Sequence, residues 1–322
     1  MKARRITGFV VILLAVLLAG AHASDYPTRP ITIMVPSLAG GGTDVGARIL
    51  ASIAEKRMGQ PIVVVNRPGA GTQIGFTELA RQKPDGYYLG FVLLPAINTI
   101  ILDPERKAIF NHDSFLPIIN QVQDAGLIWV RAESPYKTLK DLIEDAKKRP
   151  GEVRASTTGI LSDDHLAILM MEQAAGVKFR IVHFDGGPQQ LNATLGGQVD
   201  VSFDNVGGVA TRIKGGQVRG LALMDKERSK FTPGVPTTAE LGYSTVISSS
   251  TRGVMGPKGI PQPIIRKIQE VFLEAMKNPE HVEKMDKAAL GIKPLVGEEY
   301  VKFFQNMHER CKPLVEAVLK TR

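Results

Sequence analysis

Val35-Pro36-Ser37-Leu38-Ala39-Gly40-Gly41-Gly42-Thr43-Asp44 follows directly on an apolar run, Ile31-Thr32-Ile33-Met34-Val35, with the length and branching of a buried strand. Beyond it Val45, Ala47, Ile49, Leu50 and Ile53 recur at helical spacing, so a helix is expected to open near Thr43. Three adjacent glycines let the backbone approach a bound group closely. The first N–H groups of the helix have no partner within it, which makes the loop a candidate anion site. Gly-Gly-Gly also occurs in plain turns, and the rest of the chain decides between the two readings.

The pattern recurs. Pro61-Ile62-Val63-Val64-Val65 reads as a second strand, and Asn66-Arg67-Pro68-Gly69-Ala70-Gly71-Thr72-Gln73 as a second glycine loop before a helix from Ile74 to Arg81. Pro84-Asp85-Gly86 is a turn and Tyr88–Leu93 a third strand. Strands alternating with helices predict a parallel sheet, with binding loops at the strand C-termini. Both glycine loops fall at that edge.

A second α/β series begins near Leu127-Ile128-Trp129-Val130. Thr138 is placed to cap a helix that ends before Pro150-Gly151. Val153–Ser156 leads into Thr157-Thr158-Gly159-Ile160-Leu161-Ser162-Asp163-Asp164-His165, then a helix over 166–175. Phe179–Phe184 leads into Asp185-Gly186-Gly187-Pro188, Val199–Phe203 into Asp204-Asn205, and Leu221–Met224 is a further strand. From about Ser248 the pattern changes to a strand at Gly253-Val254-Met255 and helices over 262–277, 280–290 and 298–319.

At the N-terminus, Lys2, Arg4 and Arg5 precede an apolar run from Phe9 to Ala19 and then Ala21-His22-Ala23. This is the order of a cleavable export signal, with cleavage expected after Ala23, and the run is shorter than a membrane span. The remaining chain is long enough for about two domains. The net charge of +8 falls by three when the signal is removed, and the rest is spread along the chain without a basic arm, which argues against nucleic acid. A lone cysteine, Cys311, excludes an internal disulfide.

Several stretches together resemble the substrate-binding receptors of tripartite tricarboxylate transporters, the Bug receptors. They are Tyr26-Pro27-Thr28-Arg29-Pro30-Ile31, the loop at 40–44, the run at 59–71, Pro84-Asp85-Gly86-Tyr87, the run at 134–142, His165-Leu166, Leu195-Gly196-Gly197-Gln198-Val199-Asp200 and Val235-Pro236-Thr237. The resemblance implies an α/β, two-domain periplasmic binding protein-like fold with the ligand in the interdomain cleft. Residues 24–124 and 248–322 would form the first domain and 125–247 the second, with 1–23 as the signal peptide. It implies a periplasmic protein, expected to be a monomer, that binds a small organic carboxylate without a cofactor or metal. Its partner would be the integral-membrane transporter subunits or, in a sensing role, a sensor kinase. The ligand carboxylate would be held by the two glycine loops. Departures from the family pattern are Ser37-Leu38-Ala39 before the first glycines, Asp163-Asp164 before His165, and Asp185 where a base is common.

The candidate ligand-binding residues are therefore Ser37, Leu38, Ala39, Gly40, Gly41, Thr43, Asp44, Gly71, Thr72, Gln73, Thr157, Thr158, Ser162, His165, Asp185, Gly187 and Asp204. For Asp44 a helix-capping role stands beside ligand contact. His165 could brace a loop, and Asp204 with Asn205 could form a turn. Asp185 is either a solvated loop acid or the partner of a cationic or hydroxyl group, since it would repel a second carboxylate. An enzyme reading has less behind it. There is no G-x-S-x-G elbow, HExxH or phosphate-loop motif, and a hydrolase built on Ser162 and His165 lacks a nameable third group.

Overall fold

The computed structural model describes residues 26–320, so the export signal expected over 1–23 lies outside the described residues. Strands β1 (Ile31–Val35), β2 (Ile62–Asn66) and β3 (Tyr88–Leu94) are parallel, in the order β2-β1-β3, with α1 (Gly42–Met58) and α2 (Gln73–Ala80) as their crossovers. The register pairs Val35 with Asn66. The two glycine loops therefore leave the sheet side by side, from neighbouring strand ends.

Beyond β3 the sheet turns antiparallel. A strand over Ser249–Pro257 pairs with β3, and a strand over Phe115–Arg131 pairs with it on the other side. In chain order these are β9 and β4, separated by β5 (Arg154–Thr157), β6 (Arg180–His183), β7 (Val201–Asn205) and β8 (Val218–Met224), with β10 (Ile292–Val296) after them. Strand β4 belongs to both halves of the molecule. Its first part, through Ala125, pairs with β9 and β10, and its second, from Gly126, pairs with β7 and β8. Parallel pairing of β7, β5 and β6 completes the second half.

Helices cover both faces of each half, which is why these strands read as continuous apolar runs rather than alternating ones. Two core clusters flank the first half, one under α1 and α8 (Gln262–Lys277), the other under α3 (Ala96–Leu102) and α10 (Glu298–Leu319). Two more flank the second half. The cluster under α10 also takes in Leu161 and Leu166 from the second half. Buried Cys311 acts there as an apolar side chain, its thiol pushed up to about 12 by burial.

The helix expected between Thr138 and Pro150 is present as α4 (Leu139–Lys148), and the Thr138 hydroxyl accepts from the Asp141 N–H at 3.2 Å. Elements absent from the sequence reading are α3, α7 (Val206–Lys214) and β10; the chain turns from α9 (Pro279–Lys287) into β10 where the helix was expected to run on to 290. The strand expected near Leu127 starts at Phe115, because its first part is a buried central strand interrupted by Pro117 and by polar Asn120 and Gln121.

Candidate functional site

A cleft of about 640 Å³ lies between the strand-end loops of the two sheet halves. One wall is the first glycine loop (Ser37 to Thr43) together with Gly69, Gly71 and Thr72 of the second. Facing it are Thr158, Ser162 and Asp163, then Asp185 to Pro188, Asp204, Asn205, Gly207 and Gly208. Arg252 of β9 closes the floor.

The first loop hands over to α1 at Gly41, which is extended (φ −77°, ψ 164°) and makes no side-chain cap. The orphan amides of the first turn are thus not used by a cap, and they carry the positive end of the helix dipole. Asp44 sits in that turn, 3 % exposed. Its carboxylate accepts from the Gly40 N–H, Arg48 Nε and Asn66 Nδ2, each at 3.0 Å. Burial raises its pKa, but the hydrogen bonds from Arg48, Gly40 and Asn66 outweigh this and hold the carboxyl below the usual range. Asp44 thus ties the first loop to the end of β2 and does not line the cleft.

The second loop is a run of left-handed residues, Ala70 (φ 48°), Gly71 (φ 55°) and Thr72 (φ 77°), closed by bonds from the Gln73 N–H to the Ala70 carbonyl at 3.3 Å and from the Ile74 N–H to the Gly69 carbonyl at 3.5 Å. Arg106 braces it from behind, donating to the Ala70 carbonyl at 2.8 Å and to the Ile160 carbonyl of the opposite half at 3.3 Å. A Cβ on Gly71 (φ 55°) would lie 3.2 Å from the Arg106 guanidinium, so a larger residue here would be strained and would push that side chain by a few tenths of an ångström. Gln73 turns away and donates to the Arg106 carbonyl at 2.9 Å.

On the facing wall, Ser162 caps α5 (Asp163–Ala175), accepting from the His165 N–H at 3.2 Å. His165 Nδ1 accepts from the Leu161 N–H at 2.9 Å, and its ring meets that of His183 edge-on at 4.8 Å. Thr157 bonds His183 at 2.8 Å. Thr158 donates to Asp164 through its N–H and its hydroxyl. Asp185 is exposed at the cleft, and its N–H donates to Gln189 at 3.1 Å.

The floor is a buried polar network. Arg252 Nη1 donates to Asp124 Oδ2 at 2.9 Å and Nη2 to Asn205 Oδ1 at 3.2 Å. Asn205 Nδ2 donates to Asp163 Oδ2 at 2.9 Å, and Asp124 Oδ1 accepts from the Gly207 N–H at 3.0 Å. Burial first, then repulsion from Asp124 and Asp163, pushes Asp204 up to about 7 against the pull of its own Asn205 hydrogen bond and of Arg252. Among the described residues no group of histidine, cysteine, aspartate and glutamate is arranged to hold a metal ion.

The structure therefore brings Ser37, Leu38, Ala39, Gly40, Gly41, Thr43, Gly71, Thr72, Thr158, Ser162, Asp185, Gly187 and Asp204 to the cleft wall. It leaves Asp44, Gln73, Thr157 and His165 behind that wall, in the hydrogen bonds just described. Arg252, Asp163, Gly207 and Gly208 also line the cleft and were not among the expected residues, and Asn205, for which site and turn readings stood side by side, lines it too. Arg252 stands mid-strand in an unremarkable Ser-Thr-Arg-Gly run, and the pairing of β4 with β9, which sets it opposite Val122, brings its guanidinium within reach of Asp124 two residues along. The Asp163-Asp164 pair was visible as a departure from the family pattern, which is the signal that could have found it.

Comparison with known proteins agrees with this architecture. BugT from Bordetella pertussis is 33 % identical over 299 residues, covering 89 % of this chain and 88 % of BugT. A structure described as a periplasmic transporter superposes with a TM-score of 0.86 at 28 % identity, covering 90 % of this chain and 97 % of that one. The periplasmic binding protein BugD superposes with a TM-score of 0.80 at 29 % identity, covering 92 % and 98 %. Residues 46–319 match the family described as tripartite tricarboxylate transporter family receptor, so the chain has an α/β periplasmic binding protein fold and belongs to the Bug, or TctC, receptor family.

Proposed function

We propose that this protein captures a small organic carboxylate outside the inner membrane and presents it to the integral-membrane subunits of a tripartite tricarboxylate-type transporter. The observation that carries this reading is the pairing of Val35 with Asn66, which sets two glycine loops side by side on one wall of the cleft. Backbone N–H groups at a helix start can neutralise an anion without a cationic side chain. The halves joined through β4 and β9 act as two domains, 24–124 with 248–322 and 125–247, that close over the ligand and exclude water. On this reading residues 1–23 direct export and are removed, the protein works as a periplasmic monomer, and no catalysis takes place in the cleft.

A thermal-shift screen of the processed protein against mono-, di- and tricarboxylates, amino acids and aromatic acids tests the reading. A ligand at a hundred times its dissociation constant adds about 2.7 kcal/mol of stability, a shift that is plain in such a screen. Stabilisation by no acid at all, with protein freed of carried-over ligand, would sink the proposal. Deletion of the gene separates the partners: loss of uptake points to the transporter, and loss of induction with uptake intact to a sensor kinase.

A further inference from the structure

The second wall of the cleft holds more buried carboxyl groups than the guanidinium beside them can pair with. Asp124, Asp163, Asp164 and Asp204 are all buried, and the guanidinium hydrogen-bonded into this group is that of Arg252. Their engagement differs. Asp124 is held by Arg252 and the Gly207 N–H, and Asp164 by Thr158. Asp163 takes one bond from Asn205 through Oδ2. Asp204 Oδ1 accepts from the Asn205 N–H at 2.7 Å, while its Oδ2 has no hydrogen-bond partner among the described residues.

Asp204 is 6 % exposed and lines the cleft, as does Asp163, whereas Asp124 and Asp164 lie behind. Its unpartnered oxygen lies against Gly208 of the cleft wall, where a Cβ would come within 2.8 Å of it. The missing side chain leaves the carboxylate open toward the cavity. That oxygen keeps contact with the cavity and has no protein donor among the described residues, so a donor or cation arriving with a ligand supplies the bond it lacks. A second ligand carboxylate placed here would meet like charge. Other cations on the cleft wall do not change this local balance. Lys287 is exposed and pairs with Glu283 at 2.6 Å, and Arg212 lies about 6 Å further along α7, one turn beyond Gly208.

We propose that the ligand carries an ammonium group as well as a carboxylate, the carboxylate at the two glycine loops and the ammonium at Asp204 and Asp163. This deepens the carboxylate-receptor reading and rests on it for the carboxylate end alone. Affinity for such a ligand follows the ionisation of Asp204. The charged groups facing it are Asp124 on β4, Asp163 and Asp164 on α5, and Arg252 on β9. Below a pH of about 7 a proton occupies the site the ammonium needs, so binding tightens as pH rises from 6 to 8.

Isothermal titration of the processed protein at pH 6 and pH 8 tests this with three matched series. They are amino acids (the common L-amino acids, 4-aminobutanoate and 6-aminohexanoate), dicarboxylates of equal length (succinate and adipate), and the plain acids butanoate and hexanoate. The expected result is at least one amine-bearing acid binding about tenfold or more tighter than its counterparts without the amine, the size of a charge-assisted hydrogen bond, and tighter at pH 8 than at pH 6. Asp204→Asn should lower that preference for the amine by about tenfold; if this variant does not fold, the wild-type series still decides. Dicarboxylates binding as tightly as every amine-bearing acid would overturn the inference and leave the receptor reading standing. Binding by no carboxylate, with or without an amine, would remove both.

Discussion

Arg106 Nη1 donates to the Ala70 carbonyl at 2.8 Å, and the same guanidinium reaches the Ile160 carbonyl across the cleft at 3.3 Å. One side chain thereby fixes the left-handed second glycine loop and joins it to the facing wall. Asp103, almost fully buried, lies 3.9 Å from this guanidinium and helps to place it. Arg106→Ala should cost about 1–3 kcal/mol, the range for losing hydrogen bonds to a charged group. A lowered midpoint of thermal unfolding checks this. Amide hydrogen exchange over residues 69–73 should rise with it, since the loop loses its brace; unchanged exchange there would count against the role.

Asp44 gathers the Gly40 N–H, Arg48 and Asn66 in one buried cluster. Asp44→Ala leaves these donors without their acceptor and should destabilise the protein by about 2–4 kcal/mol. The folded pKa is depressed despite burial, because the hydrogen bonds outweigh it. Its contribution is therefore complete above the unfolded carboxylate value and is lost as pH falls through the folded one. Denaturant unfolding of wild type and variant at pH 7 and pH 3 should show the difference between them shrinking at the lower pH.

Asp204 has the opposite sign. Its pKa is raised to about 7, so the folded state holds a proton that the unfolded state releases between about 4 and 7. Stability attributable to this group therefore falls as pH rises across that window. Asp204→Asn removes the term, and its stability relative to wild type should increase by on the order of 2–4 kcal/mol between pH 4 and pH 8. Parallel pH profiles for the two proteins would contradict the assignment.

His281 is fully buried, contacts Gln121 at 2.8 Å, and is pushed down to about 4 by burial. The unfolded chain takes up a proton near 6.5 that the folded one refuses, so this residue's effect is a loss of stability as pH falls from about 6.5 to 4. His281→Gln should flatten that limb of the profile even if it lowers stability at pH 7. An acid limb as steep as wild type would assign it to other groups.

The chain order of strands, glycine loops and helices determined the fold class, because apolar runs of strand length alternating with helical periodicity admit few packings. The glycine loops were legible for the same local reason: their residues adjoin in sequence and act through the backbone. A cationic or hydrogen-bonding far end of the ligand was also expected, at Asp185, read equally as a solvated loop acid; the structure leaves that residue exposed at the cleft. The buried acids of the proposed ammonium site and its surroundings come from β4, α5 and β7, and Arg252 from β9. No spacing in the sequence announces their meeting. Only the pairing of one long strand, β4, with both halves of the sheet sets Asp124 beside Arg252 and Asn205, and burial then does the rest, shifting charges that water would have screened.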